Sequence, residues 1–89
     1  MREIVETASF GRDLKKCRKR GKNILKLFKV VESLAKGSPL DPKNKPHRLK
    51  GDWKPKWDCH IEPDWILIFE VTDKEITLVR TGTHSDLFE

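Results

Sequence analysis

Apolar positions fall along the chain in blocks, and their spacing changes once, near the middle. Residues 2–6 alternate weakly and predict a short first strand. From Ala8 the spacing becomes helical: Phe10, Leu14 and Cys17 lie at i, i+4 and i+7 on one face, opposite Arg12, Lys15, Arg18 and Lys19. Thr7 or Ser9 is placed to cap the start, and Gly21 to end it. A second helix begins at Asn23, carries Ile24, Leu27, Phe28, Val31 and Leu34 on one stripe, and stops at Gly37. Two amphipathic helices joined so closely predict a helical hairpin.

Between residues 38 and 46, SPLDPKNKP holds three prolines and no period, which predicts a loop. Beyond it the period is that of strands. Trp53, Pro55, Trp57 and Cys59 alternate with Lys54, Lys56, Asp58 and His60 over residues 53–60. EPD at 62–64 reads as a turn. Trp65 to Val71 is almost continuously apolar, as a central strand covered on both faces must be. Thr72 to Lys74 makes another turn, Glu75 to Thr81 a last strand, and Gly82 ends it before a short polar tail. The expected class is α+β: one domain spanning 1–89, β-α-α-β-β-β, with an antiparallel sheet carrying the helical hairpin on one face.

Composition narrows this picture. With 89 residues, 36% hydrophobic and 37% charged, the chain suits one small core rather than disorder. No apolar run reaches the roughly 20 residues that span a bilayer, and the first residues lack the apolar core of an export signal. The expectation is a cytoplasmic protein without a membrane partner, its two cysteines, Cys17 and Cys59, reduced. A net charge of +5 favours a polyanionic partner.

The three histidines, His47, His60 and His84, all lie in the second half, at places that neighbouring strands can bring together. Imidazole titrates near neutrality and serves as either acid or base, as cleavage of RNA without a metal requires. Lys and Arg can hold the phosphate oxygens, and the cationic face bearing Lys54 and Lys56 offers them. Asp64, four residues after His60 across a tight turn, is placed to orient an imidazole or fix its tautomer. Arg80 precedes His84 by four residues and shares its face if the strand stays extended. Trp57 is assigned to the core and Trp53 is left open between core and base stacking. Trp65 is expected to prop Asp64, and Phe88 to stack on a base or plug the sheet edge. A zinc site from His47, Cys59, His60 and His84 is disfavoured, since adjacent ligands at 59 and 60 point to opposite faces of a strand.

Three motifs add what spacing alone does not. H-x-L-x-G-x-W at 47–53, H-x-x-P-D-W-I-L-I at 60–68 and R-T-G-T-H-x-x-L-F at 80–88 resemble the YafQ-type toxins of the RelE superfamily, in order and spacing. The resemblance covers about half the chain. It implies a RelE-like fold and a cytoplasmic endoribonuclease, the toxin of a type II toxin–antitoxin system, that cleaves mRNA in the ribosomal A site. A cognate antitoxin would block it, and neither a metal nor a small-molecule cofactor would be needed. It places the chemistry on His47, His60, Asp64 and His84, with Trp65, Arg80 and Phe88 supporting or lining the substrate site. One departure is local: Pro46 precedes His47 and Arg48 follows it, where relatives often carry proline after the histidine, which changes the backbone restraint there. Two other classes compete. A ParE-like gyrase poison has no use for this histidine set, and a non-catalytic RNA-binding module would tolerate its loss.

Overall fold

Both helices begin where a side chain can take up an orphan backbone donor. Thr7 Oγ1 accepts the Phe10 N–H at 3.0 Å and itself donates to the Val79 carbonyl, so the cap of α1 (Ala8–Lys19) is also its tie to the sheet. Asn23 accepts the Leu25 N–H and opens α2 (Ile24–Lys36), which ends at Gly37 in a left-handed conformation that glycine adopts without strain. The computed structural model describes residues 1–88. Its strands are β1 (Glu3–Glu6), β2 (His47–Arg48), β3 (Trp57–Glu62), β4 (Trp65–Val71) and β5 (Glu75–Gly82), and a last helix, α3 (His84–Phe88), follows them. No helix among the described residues is long and apolar enough to cross a membrane.

The strands form one sheet in the order β1-β5-β4-β3-β2. The β2-β3-β4-β5 part is antiparallel, but β1 runs parallel to β5 at the edge, so the sheet is mixed. Periodicity carried no signal for this, because all four β1 residues are exposed and a strand without a buried face does not announce its partner.

β4 is the middle strand, and its first five residues are buried. Trp65, Leu67 and Phe69 face the helical hairpin and pack with Phe10, Leu27 and Val31. Ile66 and Ile68 face the other way and meet Leu87, with Leu49, Trp53 and Val79 around them. Each such side chain taken fully from water contributes about 1.5–3 kcal/mol, which is why β4 reads as an uninterrupted apolar run.

Three local expectations are corrected. The strand assigned to 53–60 starts only at Trp57, because 51–53 is a 3-10 turn. Trp53 therefore leaves the face of Trp57 and Cys59 and packs on the opposite side of the sheet. On α2 the buried stripe is Leu27, Val30, Val31 and Ala35, while Phe28 is 39% exposed. The tail after Gly82 is helical. Thr83 and Asp86 cap it reciprocally, Thr83 N–H to Asp86 and Asp86 N–H to Thr83 Oγ1, in capping-box spacing with Asp in place of Glu.

Candidate active site

Strand alternation sends Trp57, Cys59 and Ile61 into the core under the hairpin, which leaves Asp58 and His60 on the opposite face of β3. The β3–β4 turn then presents Asp64, and α3 returns His84 to the same end of the sheet. The His84 Nδ1 lies 2.9 Å from Asp64 Oδ1, and the His84 backbone N–H donates to the same oxygen at 3.0 Å. Those two hydrogen bonds, the backbone one foremost, hold the Asp64 carboxyl below the usual carboxylate range. An ionised carboxylate only accepts, so the bond fixes the proton of the neutral His84 ring on Nδ1 and points Nε2 outward.

The rings of His60 and His84 are 5.8 Å apart. His60 Nδ1 lies 3.2 Å from the Pro63 carbonyl, which can only accept, so the His60 ring also carries Nδ1–H and leaves Nε2 free. Asn44, buried in the proline-rich loop, donates to the His60 carbonyl at 2.7 Å and pins this part of β3. His47 stands across from Asp58 in the β2–β3 register, its Nδ1 3.6 Å from Asp58 Oδ1. Asp58 and His60 are two residues apart on one strand face, about 7 Å between Cα atoms, so all three histidines share one surface. Phe88 completes it: its ring is 6.1 Å from that of His84 and 5.8 Å edge-on from Trp53.

Several supporting residues sit elsewhere than expected. Asp64 orients His84, not the nearer-in-sequence His60. Trp65 is fully buried, its indole N–H donating to Thr81 Oγ1 at 2.9 Å, so it cannot stack on a substrate. It backs the site from inside. Arg80 does not share a face with His84 along an extended strand, because β5 ends at Gly82; instead Nε and Nη2 both donate to the Asp13 carboxylate on α1. Lys56 is paired with Glu70, while Lys54 is exposed.

Two further groups had no counterpart in the sequence reading. A groove of about 790 Å³ adjoins the site at Asp64 and Thr83, and Lys22, Lys26, Lys29 and Lys43 line it. Cationic side chains beside Asp64 thus come from α2 and the loops next to it, in addition to Lys54 and Lys56 just before β3. Asp86 accepts from Arg20 and Lys16 as well as from Thr83, which clamps α3, and with it His84, onto α1. The Arg20 hydrogen bond, then that from Thr83, holds the Asp86 carboxyl far below the usual range. The Thr83-x-x-Asp86 spacing was the one visible signal for this clamp.

The cysteines take no part. Both are free and buried, and burial pushes the Cys59 thiol up to about 12, where thiolate is negligible at neutral pH. No group of three or more His, Cys, Asp or Glu side chains that could hold a metal is found among the described residues.

Fold and cluster together define a small α+β protein with a carboxylate-oriented histidine site on the sheet face away from its helical hairpin. Residues 2–89 match the family described as bacterial toxin of type II toxin-antitoxin system, YafQ, and the chain belongs to that family. The mRNA interferase toxin YafQ of Escherichia coli (strain K12) is 42% identical over 88 residues, covering 98% of this chain and 96% of that protein. The crystal structure of the E. coli DinJ-YafQ toxin-antitoxin complex superposes with a TM-score of 0.91 at 42% identity, over 99% of this chain and 98% of that one. A metal-bound toxin from Helicobacter pylori superposes with a TM-score of 0.93 at 41% identity, over 99% and 100% of the two chains.

Proposed function

We propose that this toxin is an endoribonuclease, an mRNA interferase that cleaves message in the ribosomal A site of the cytoplasm and is held inactive by a cognate antitoxin. The observation that carries the reading is the Asp64–His84 pair at 2.9 Å with a second imidazole, His60, 5.8 Å away ring to ring. Two imidazoles on one surface supply the base and the acid that transesterification needs, with no metal.

The 2′-hydroxyl gives its proton to His60 or His47 as its oxygen bonds to phosphorus. The P–O5′ bond breaks, and His84 protonates the departing oxygen. The products are a 2′,3′-cyclic phosphate and a 5′-hydroxyl. Asp64 stabilises the positive charge that the His84 ring carries before it gives up its proton. Arg80, through its remaining donors, and the groove lysines steady the phosphates, and Phe88, 40% exposed, offers a stacking face for a base.

The test is cleavage of a defined message by the wild-type protein and by His84→Ala, with and without ribosomes. Cleavage that needs ribosomes and disappears in the variant is the expected result. Growth arrest without cleavage by either protein would overturn the reading and point to a toxin that acts by binding.

A further inference from the structure

The Asp64–His84 pair leaves open which imidazole accepts the 2′-hydroxyl proton. Asp58 bears on that question, and neither the mechanism nor the motifs use it. Its side chain is buried, yet Oδ1 has no hydrogen-bond partner. A carboxylate oxygen shielded from water without a partner is costly, and such an atom calls for a physical account. What it faces is His47: Nδ1 is 3.6 Å away, an ion-pair distance about 0.4 Å beyond hydrogen-bond reach. The His47 side chain is 63% exposed, so solvent rather than packed protein surrounds most of the ring and leaves it room to turn toward the carboxylate. Asp58, by contrast, is fixed. It pairs in register with His47 on one side and with Ile68 of the buried central strand on the other.

We infer that Asp58 is a positioning residue that holds His47 as the Nδ1–H tautomer, with Nε2 directed at the substrate as the base for the 2′-hydroxyl. This rests on the nuclease reading and deepens it. The site is then built from two carboxylate–imidazole pairs, Asp58–His47 for proton removal and Asp64–His84 for proton delivery. His60 lies on the sheet face between them, its own Nδ1 committed to the Pro63 carbonyl. An unpartnered Oδ1 is what such an arrangement leaves when the ring is turned slightly away. It also explains why β2, only two residues long, is hydrogen-bonded to β3 at all: it delivers His47 to Asp58.

Two readouts test this. The first needs no activity: ¹⁵N spectra of the imidazoles report which ring nitrogen is protonated. Wild-type His47 should show Nδ1–H, and isosteric Asp58→Asn, whose amide can donate to Nδ1, should move it toward Nε2–H. The second is single-turnover cleavage by wild type, Asp58→Asn, His47→Ala and the double variant. The rate constant should fall about ten- to a hundredfold in Asp58→Asn with KM nearly unchanged, the order expected when one general base is misoriented. Adding Asp58→Asn to His47→Ala should cost nothing further. Matching urea midpoints for wild type and Asp58→Asn would exclude simple unfolding. An unchanged His47 tautomer, or a double variant slower than His47→Ala by the full Asp58 factor, would overturn the inference. If the wild type itself failed to cleave RNA, the nuclease reading would fall, and the spectra alone would decide whether Asp58 positions His47.

Discussion

Replacing Trp65 with phenylalanine separates support of the site from contact with substrate. The indole is fully buried beside Leu67 and Phe69 in the core under the helices, and its N–H donates to Thr81 Oγ1, which donates in turn to the Ile66 carbonyl. Phenylalanine keeps one ring and loses the rest. The lost hydrogen bond is worth about 1 kcal/mol net. The space left where the second ring stood adds about 1–2 kcal/mol, at the low end of large-to-small core changes because a phenyl ring still fills most of the site. Thr81 keeps its own donation to Ile66, so no donor is stranded. The half-buried Lys22 ammonium 5.3 Å from the indole loses its better cation–π face, roughly half a kcal/mol. The sum is about 2–3 kcal/mol, a large part of the stability of a chain this size. The midpoint of thermal unfolding should drop by about 10–20 °C. Urea unfolding should show a lower midpoint at an unchanged slope. Cleavage measured at low temperature, where both proteins are folded, should stay within about threefold of wild type. Unchanged stability with a hundredfold slower reaction would refute the reasoning and make Trp65 a substrate contact.

The clamp on α3 makes two further expectations. Asp86→Ala should cost about 1–2 kcal/mol at neutral pH, from a lost helix cap and a partly exposed guanidinium pair. Because the folded state holds the Asp86 carboxyl below its ordinary value, that stability is present above the unfolded carboxylate range near pH 4 and is lost as pH falls further; urea midpoints of wild type and variant should converge in strong acid. Gly82→Ala would place a Cβ 2.9 Å from both Cβ and Oδ2 of Asp86, so α3 must shift. Stability should fall by about 1–3 kcal/mol and cleavage at least tenfold through displaced His84, measured by urea unfolding and single-turnover assay; a fully active, stable Gly82→Ala protein would show that the contact relaxes freely.

What the sequence determined by itself is what periodicity and local chemistry encode. The helical hairpin, its caps at Asn23 and Gly37, the doubly buried Trp65–Val71 strand and the turns around it were legible, since each depends on residues a few positions apart; the structure chose Thr7 over Ser9 as the first cap. Asp58 and His60 could be put on one face of a strand for the same reason. The tertiary structure alone decided the pairings across long separations. β1 lies parallel to β5 because it fills that edge, a choice its four exposed residues do not encode. Trp53 changed faces because a 3-10 turn broke the strand pattern before it could propagate. Arg80 went to Asp13, 67 residues away, and Asp64 to His84, 20 residues away, although His60 was nearer along the chain. A side chain's partner is set by where the backbone carries it in space. Local spacing fixes which way it leaves a helix or a strand, and only the packing of the whole sheet supplies what it meets there.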